Sequence, residues 1–370
     1  MMERNDKGQF EAKYRLEENT DHYEQYAEWV LLNVDKETTQ DRLKAGVRAW
    51  LYWCEQQDVD PLTVEEDDVR LYIQHLQRDN YANPTITRRV ASVSKYYHGL
   101  KHNAEAEWKL ERNPTTDINL RKDYDIKNTS DYVTVLYREG RKDIIALGPD
   151  KIKPLVEPEN IPGSNPATRT RNELIIRLFW QTAVRGDELS RFRYGNIDWD
   201  KRDIEFRSAK LNPEDHPDLY YRHVWWEPNL DYLMYRWKES HREQMNPNAG
   251  DSPYLFVTSQ NGSEKDLYRM SPSEMSRIVK RAAHNAGVQE PLVGSGDDVK
   301  QWLYTAHRLR HSRITFLAND ANDDEGMDLN SLRMMAGHAK FDTTLDYVKG
   351  DWETARQRFR TATPEEEQTF

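Results

Sequence analysis

The chain has 370 residues, with 64 Asp and Glu against 53 Lys and Arg, a formal net charge of −11. Only 37 % of residues are hydrophobic, but 11 Trp, 20 Tyr and 9 Phe supply large burial units, enough for two modest cores. The sequence has no 18-residue apolar run, no apolar signal core in MMERNDKGQFEAKYR and a single cysteine, Cys54; these argue against a membrane span, a secretory leader and a disulfide scaffold, and a cytoplasmic location is expected.

Four amphipathic helices are predicted for residues 20–103. The first places Tyr23, Tyr26, Trp29 and Val30 at helical spacing over residues 22–34. The second, residues 41–57, carries Leu43, Val47, Trp50, Leu51 and Cys54 on one face. Thr63 and Glu66 give a capping-box signature ahead of Val69, Tyr72, Ile73 and Leu76. The fourth follows Asn83-Pro84, with Ile86, Val90, Val93, Tyr97 and Leu100 inward and a basic face of Thr87, Arg88, Arg89 and Lys95. That face is a candidate DNA contact, or an ordinary solvated surface.

The helical pattern fades at Asn113-Pro114, and a polar stretch runs to about residue 165, with strand character in YVTVLY (132–137) and KDIIAL (142–147). The expected division is an N-terminal tail 1–19, a helical domain 20–113, an interdomain segment 114–165, a second domain 166–361 and a tail 362–370. In the second domain a helix is predicted over 168–183, then strands Ile204–Arg207 and Tyr221–Trp226 around the polar loop 211–219. A helix over 228–243 and a short strand at 254–257 follow. Ser271, Pro272 and Glu274 form a capping box with proline at the first helical position. Thr305 caps a helix over 306–318, Asp328 opens one that ends at Gly337, and Asp342 starts the last.

Three segments carry chemistry: TAVRGDEL (182–189), HRLRHS (307–312) and AGHAKFDTTLDY (336–347). Together they resemble the tyrosine recombinases, the phage-integrase and Xer-type family. Its catalytic domain shows T-G-x-R-x-x-E-L, then H-x-x-R-H, then L-G-H followed nine residues later by a tyrosine. His338 and Tyr347 have that spacing, with Thr343-Thr344 between them. The resemblance covers roughly residues 20–360. It implies a mainly α fold: a SAM-like four-helix core-binding domain, then an α+β catalytic domain with a small antiparallel sheet.

By that resemblance Tyr347 is the nucleophile, attacking a phosphodiester to leave a 3′-phosphotyrosine. Arg185 and Arg310 clamp the phosphate, because guanidinium matches two oxygens at once and stays charged. Glu188, one turn from Arg185, can hold a guanidinium or a histidine in place, with His311 supporting. His307 and His338 can donate to the phosphate or move a proton, in roles left open. The proton for the leaving oxygen falls to Lys210, at the end of IEFRSAK. The usual Lys-Thr-Gly turn is absent there, the loop LNPEDHPDL is long and acidic, and Lys201 is the other lysine nearby. The family's glycine and leucine stand as Ala183 and Ala336 here, which implies altered packing rather than lost chemistry.

The implied partners are double-stranded DNA, a homotetramer assembled on it and an accessory DNA-bending or directionality factor, with no cofactor or metal and a nucleoid-associated location. The acid excess runs against a DNA-binding protein. It is partly concentrated in EEDD (65–68), NDDEGMD (322–328) and PEEE (364–367), as expected of a protein adapted to a salty cytoplasm. Competing readings are a zinc site at His307, His311 and His338, a type IB topoisomerase, which would not need the N-terminal bundle, and a DNA-binding regulator without strand cleavage. DWETARQRFR (351–360) resembles the family's C-terminal helix, which packs on a neighbouring protomer; ordinary packing within its own chain is the alternative.

Overall fold

The structure, a computed structural model, describes residues 14–35, 37–102, 112–126, 146–208, 211–259, 267–293, 299, 301–319, 327–339 and 344. It is mainly helical with a small antiparallel sheet, and it divides into two compact units, Met1–Gly140 and Arg141–Phe370. Among the described residues no helix is long and apolar enough to cross a membrane.

The first unit is the expected helical bundle: α1 (Thr20–Asn33), α2 (Glu37–Gln57), α3 (Glu66–Arg78) and α4 (Asn83–His102). Helices α2 and α4 lie so close that a Cβ on Gly46 would collide with the Ser92 side chain, which explains the glycine in mid-helix. Trp50 stacks on Trp53 with ring centres 5.2 Å apart, and its Nε1 donates to Tyr97 Oη at 3.1 Å. Cys54 is buried in this core. The cap of α3 differs from the expected Thr63–Glu66 box. The Glu65 amide donates to Asp68 Oδ2 at 2.9 Å, while the Thr63 hydroxyl is drawn into the preceding turn, donating to the Asp60 carbonyl.

The ends of the polar 114–165 segment belong to the two cores. Ile118, the short helix α5 (Leu120–Tyr124) and Ile126 pack on the first. Leu147, α6 (Pro149–Ile152) and Leu155 pack into the second. A few well-spaced apolar residues anchor a stretch whose average composition is polar. YVTVLY and most of KDIIAL lie outside the described residues.

The second unit is built around α7 (Pro166–Thr182). Its Leu174, Ile175, Ile176, Leu178 and Phe179 are all fully buried, as in a helix covered on every side. After α8 (Gly186–Ser190) come β1 (Ile197–Asp198), β2 (Asp203–Arg207) and β3 (Tyr221–Trp225), an antiparallel sheet in that order. The register pairs Ile204 with Val224 and Phe206 with Arg222. Alternation therefore sends Arg222 and Val224 inward and exposes Tyr221, His223 and Trp225. The loop before β3 holds a short helix, α9 (Pro217–Tyr220).

The expected helix over 228–243 is α10 (Asp231–Arg236), a π turn (Trp237–His241) and α11 (Arg242–Met245). Residues 254–257 do not form the expected strand. Their ends make single bridges, Arg193 to Tyr254 and Val257 to Arg269, while Leu255 and Phe256 are buried between. Helix α12 (Pro272–Asn285) has its capping box, the Ser271 amide donating to Glu274 Oε2 at 2.9 Å. The strands β4 (Pro291–Val293) and β5 (Gln301–Trp302) pair antiparallel. Helix α13 (Ala306–Asn319) starts on Thr305, whose Oγ1 accepts from the Arg308 amide at 3.2 Å. Helix α14 (Leu329–Ala336) starts on Asp328 and ends on Gly337 in the left-handed conformation, φ +61°.

Candidate active site

Segments far apart in sequence converge at the end of α7, the start of α8, the middle of α13 and the end of α14. Arg185 is the residue before α8, and Glu188 lies in its first turn. Glu188 is fully buried. Its Oε2 accepts from the Arg185 amide at 2.8 Å, and its Oε1 accepts from Arg185 Nη1 at 3.0 Å. Arg222 Nη1, from β3, donates to the same Oε1 at 2.8 Å. Burial alone would raise the Glu188 carboxyl; Arg222, Arg185, Arg310 and the Arg185 amide outweigh it and hold it below the usual carboxylate range.

Arg310 reaches this cluster from α13. It is 2 % exposed, and its guanidinium donates to the carbonyls of Ala183 and Ala336. The two departures from the family pattern thus serve Arg310 through backbone carbonyls, which any side chain could supply. Both alanines also pack in a small apolar cluster with Ile314, Ala318 and Leu332.

His338 follows the Gly337 cap. Its Nε2 is 3.3 Å from Arg310 Nη2 and its Nδ1 is 3.1 Å from Thr344 Oγ1. Arginine can only donate, so Nε2 accepts and the ring proton sits on Nδ1, directed at Thr344. Burial, then Arg310, Arg185 and Arg222, drive His338 down to about 3 against the pull of Glu188. His311, half-buried on α13, is pushed down to about 4 by burial and then by Arg308, His307 and Arg310. His307 is exposed in the first turn of α13. Among the described residues no three metal-ligating side chains stand together.

Of the sequence candidates, the structure gathers Arg185, Glu188, Arg310 and His338 around shared hydrogen bonds. Lys210 and Tyr347 lie outside the described residues. Lys201, the alternative lysine, is exposed and paired with Asp198 Oδ2 at 2.9 Å. In the first unit the basic face of α4 is not uniform. Arg88 is exposed, whereas Arg89 lies over the Tyr81 ring at 4.2 Å and donates to Tyr14 Oη at 2.6 Å. Lys95 sits 5.2 Å from the Trp29 ring centre, and the Thr87 hydroxyl donates to the Asn83 carbonyl at 3.0 Å.

Sequence reasoning missed Arg222 and the Thr344 contact to His338. The signal for Arg222 was present: a charged residue in phase with buried Val224 on an alternating strand.

The profile of the phage integrase family matches residues 149–353, and that of the phage integrase N-terminal SAM-like domain matches residues 24–104. The tyrosine recombinase XerA of Pyrococcus furiosus is 24 % identical over 204 residues, 55 % of this chain and 57 % of that relative, so the match spans little more than half its length. XerA of Pyrococcus horikoshii is 20 % identical over 331 residues, 90 % of each chain. Among solved structures, the Tn1549 transposon integrase in complex with circular intermediate DNA shares the fold, with a TM-score of 0.60 and 16 % identity over 92 % of this chain and 99 % of that one. With a family profile covering more than half of its length, this chain belongs to the phage integrase family of tyrosine recombinases.

Proposed function

We propose that the chain cleaves and rejoins duplex DNA at a specific site through a 3′-phosphotyrosine on Tyr347, integrating or excising a mobile or viral element. The observation that carries this reading is the cluster of Arg185, Arg222, Arg310 and Glu188 around a neutral His338. Three cations against one anion leave two formal positive charges at a partly open site. A phosphodiester brings one negative charge, and attack on phosphorus builds a second. Fixed cations in a dry site stabilise that charge more than water does, and removing one such donor costs roughly 10²–10³ in rate. Of the two guanidiniums on Glu188, Arg185 has a face to solvent, its side chain 20 % exposed against 2 % for Arg222, so Arg185 rather than Arg222 meets the phosphate.

The Tyr347 oxygen attacks phosphorus, the bond to the 5′-oxygen breaks, and Lys210 delivers the proton that makes the leaving group a 5′-hydroxyl. The tyrosine proton passes to His307 or His338. The 5′-hydroxyl of a partner strand reverses the step. One phosphodiester is exchanged for another, so the bond energy is kept and no nucleotide triphosphate is needed. Exchange between two duplexes calls for four protomers on DNA, with an accessory bending or directionality factor. A second reading, resolution of chromosome dimers, draws on the Xer-type relative that matches 90 % of both chains.

The test is a nicked duplex carrying the attachment site, which traps the covalent intermediate. A protein–DNA adduct on a denaturing gel, absent in Tyr347→Phe, is the expected result. Tight binding without an adduct would turn the reading to a regulator that has lost cleavage.

A further inference from the structure

Arg222 is only 3 % exposed, yet it stands on a strand whose other inward residue is Val224. A buried guanidinium is costly where an aliphatic side chain would fill the space, so its contacts must supply what a methyl group cannot. Nη1 donates to Glu188 Oε1 at 2.8 Å, Nη2 donates to the Met335 carbonyl near the end of α14, and the plane lies 4.8 Å from the Phe206 ring centre. A Cβ on Gly337 would stand 2.6 Å from Arg222 Cζ, so the residue before His338 rests against this guanidinium.

The arrangement also distributes charge. Glu188 Oε1 is shared by Arg185 and Arg222. Two guanidiniums on one carboxylate leave the group with one net positive charge for an incoming anion. Arg222 is the second residue of β3, so its side chain ties that strand to α8 and α14.

We propose that Arg222 is a positioning residue for strand cleavage, locking the Arg185–Glu188 pair to the turn that carries His338 without itself touching DNA. This rests on the recombinase reading above. The groups facing His338 are Arg310 from α13, Arg185 just before α8 and Glu188 within it, Arg222 from β3, Arg333 from α14, whose Nε donates to the His338 carbonyl, and Thr344.

The experiment compares wild type, Arg222→Met and Arg222→Lys as full chains, measuring DNA affinity, single-turnover adduct formation on the nicked duplex and its pH profile. Arg222→Met is expected to bind within about threefold of wild type yet to cleave about 100-fold more slowly. Its acid limb moves to higher pH, because His338 loses a neighbouring cation. Arg222→Lys, which keeps the charge but not the fork that reaches Glu188 and the Met335 carbonyl together, recovers about tenfold, stays about tenfold below wild type and restores the limb. Cleavage by Arg222→Met at the wild-type rate would overturn the proposal. So would a parallel loss of binding and cleavage with no recovery by lysine, the behaviour of an ordinary core residue. Should Arg222→Met not fold, Arg222→Lys decides: slower cleavage at unchanged affinity supports the proposal, and wild-type cleavage contradicts it. A wild type that forms no adduct would instead bring down the recombinase reading itself.

Discussion

Arg310 donates a hydrogen bond to the carbonyl of Ala183, which presents it from a left-handed backbone, φ +51° and ψ +26°. That conformation suits glycine and costs an L-residue about 1–2 kcal/mol. Ala183 is also fully buried. Ala183→Gly relieves the strain but loses a buried methyl and loosens the unfolded chain, so stability should stay within about 1 kcal/mol and cleavage should persist. Ala183→Val should lose about 2 kcal/mol or more, since a β-branched residue tolerates neither the backbone nor the space. Urea unfolding of the two variants checks this; a glycine variant much weaker than the valine one would contradict the turn.

Acid should destabilise the second unit through His338 and His311, held near about 3 and about 4 in the fold. Both lie below the ordinary histidine value of about 6.5, so between the two values the unfolded chain binds more protons. Stability is therefore full above about pH 6.5 and falls as the pH drops, by up to about 1.4 kcal/mol per pH unit for each histidine. In His311→Gln the dependence of the urea midpoint on pH between 6.5 and 4.5 should flatten. An unchanged slope would mean that His311 is charged in the folded protein.

The two lysines of the sheet region should behave differently. Lys201 is paired with Asp198, whose hydrogen bond raises its ammonium and makes it a poorer acid. Lys201→Ala should cleave within about twofold of wild type, whereas Lys210→Ala should lose about 10²-fold or more, the scale of general-acid catalysis. Single-turnover cleavage of the nicked duplex separates them, and the reverse ranking would move the acid to Lys201.

On α4, adjacent arginines should separate affinity from stability. Arg88 is exposed, so Arg88→Ala should weaken DNA binding and flatten its salt dependence while leaving the melting temperature unchanged. Arg89 is engaged with Tyr81 and Tyr14, so Arg89→Ala should lower the melting temperature of the first unit. Equal loss of DNA affinity with no change in melting for both variants would show that the aromatic contacts of Arg89 contribute nothing to the fold.

Much of this was legible in the residues. Periodicity placed the four N-terminal helices, because each buries one clean stripe such as Val69, Tyr72, Ile73 and Leu76. Capping chemistry located the starts of α12 and α14, where Ser271 and Asp328 accept from backbone amides. The Thr63 cap failed because its hydroxyl donates to the Asp60 carbonyl in the preceding turn while Glu65 and Asp68 form the cap, a second local choice that the motif does not distinguish. The strand at 254–257 failed because an apolar run reports burial, not pairing. At the site, motif spacing gave Arg185, Glu188, Arg310 and His338, but a motif names side chains only. It was silent on the carbonyls of Ala183 and Ala336, and on Arg222, which joins the cluster through the fold.

The central claim is tested most directly by digesting the trapped protein–DNA adduct with protease and nuclease and locating the nucleotide by peptide mass spectrometry. A 3′-linked nucleotide on the peptide containing Tyr347, with the mass on the tyrosine itself, is the predicted result. A nucleotide on any other residue, or a 5′ linkage, would contradict the account.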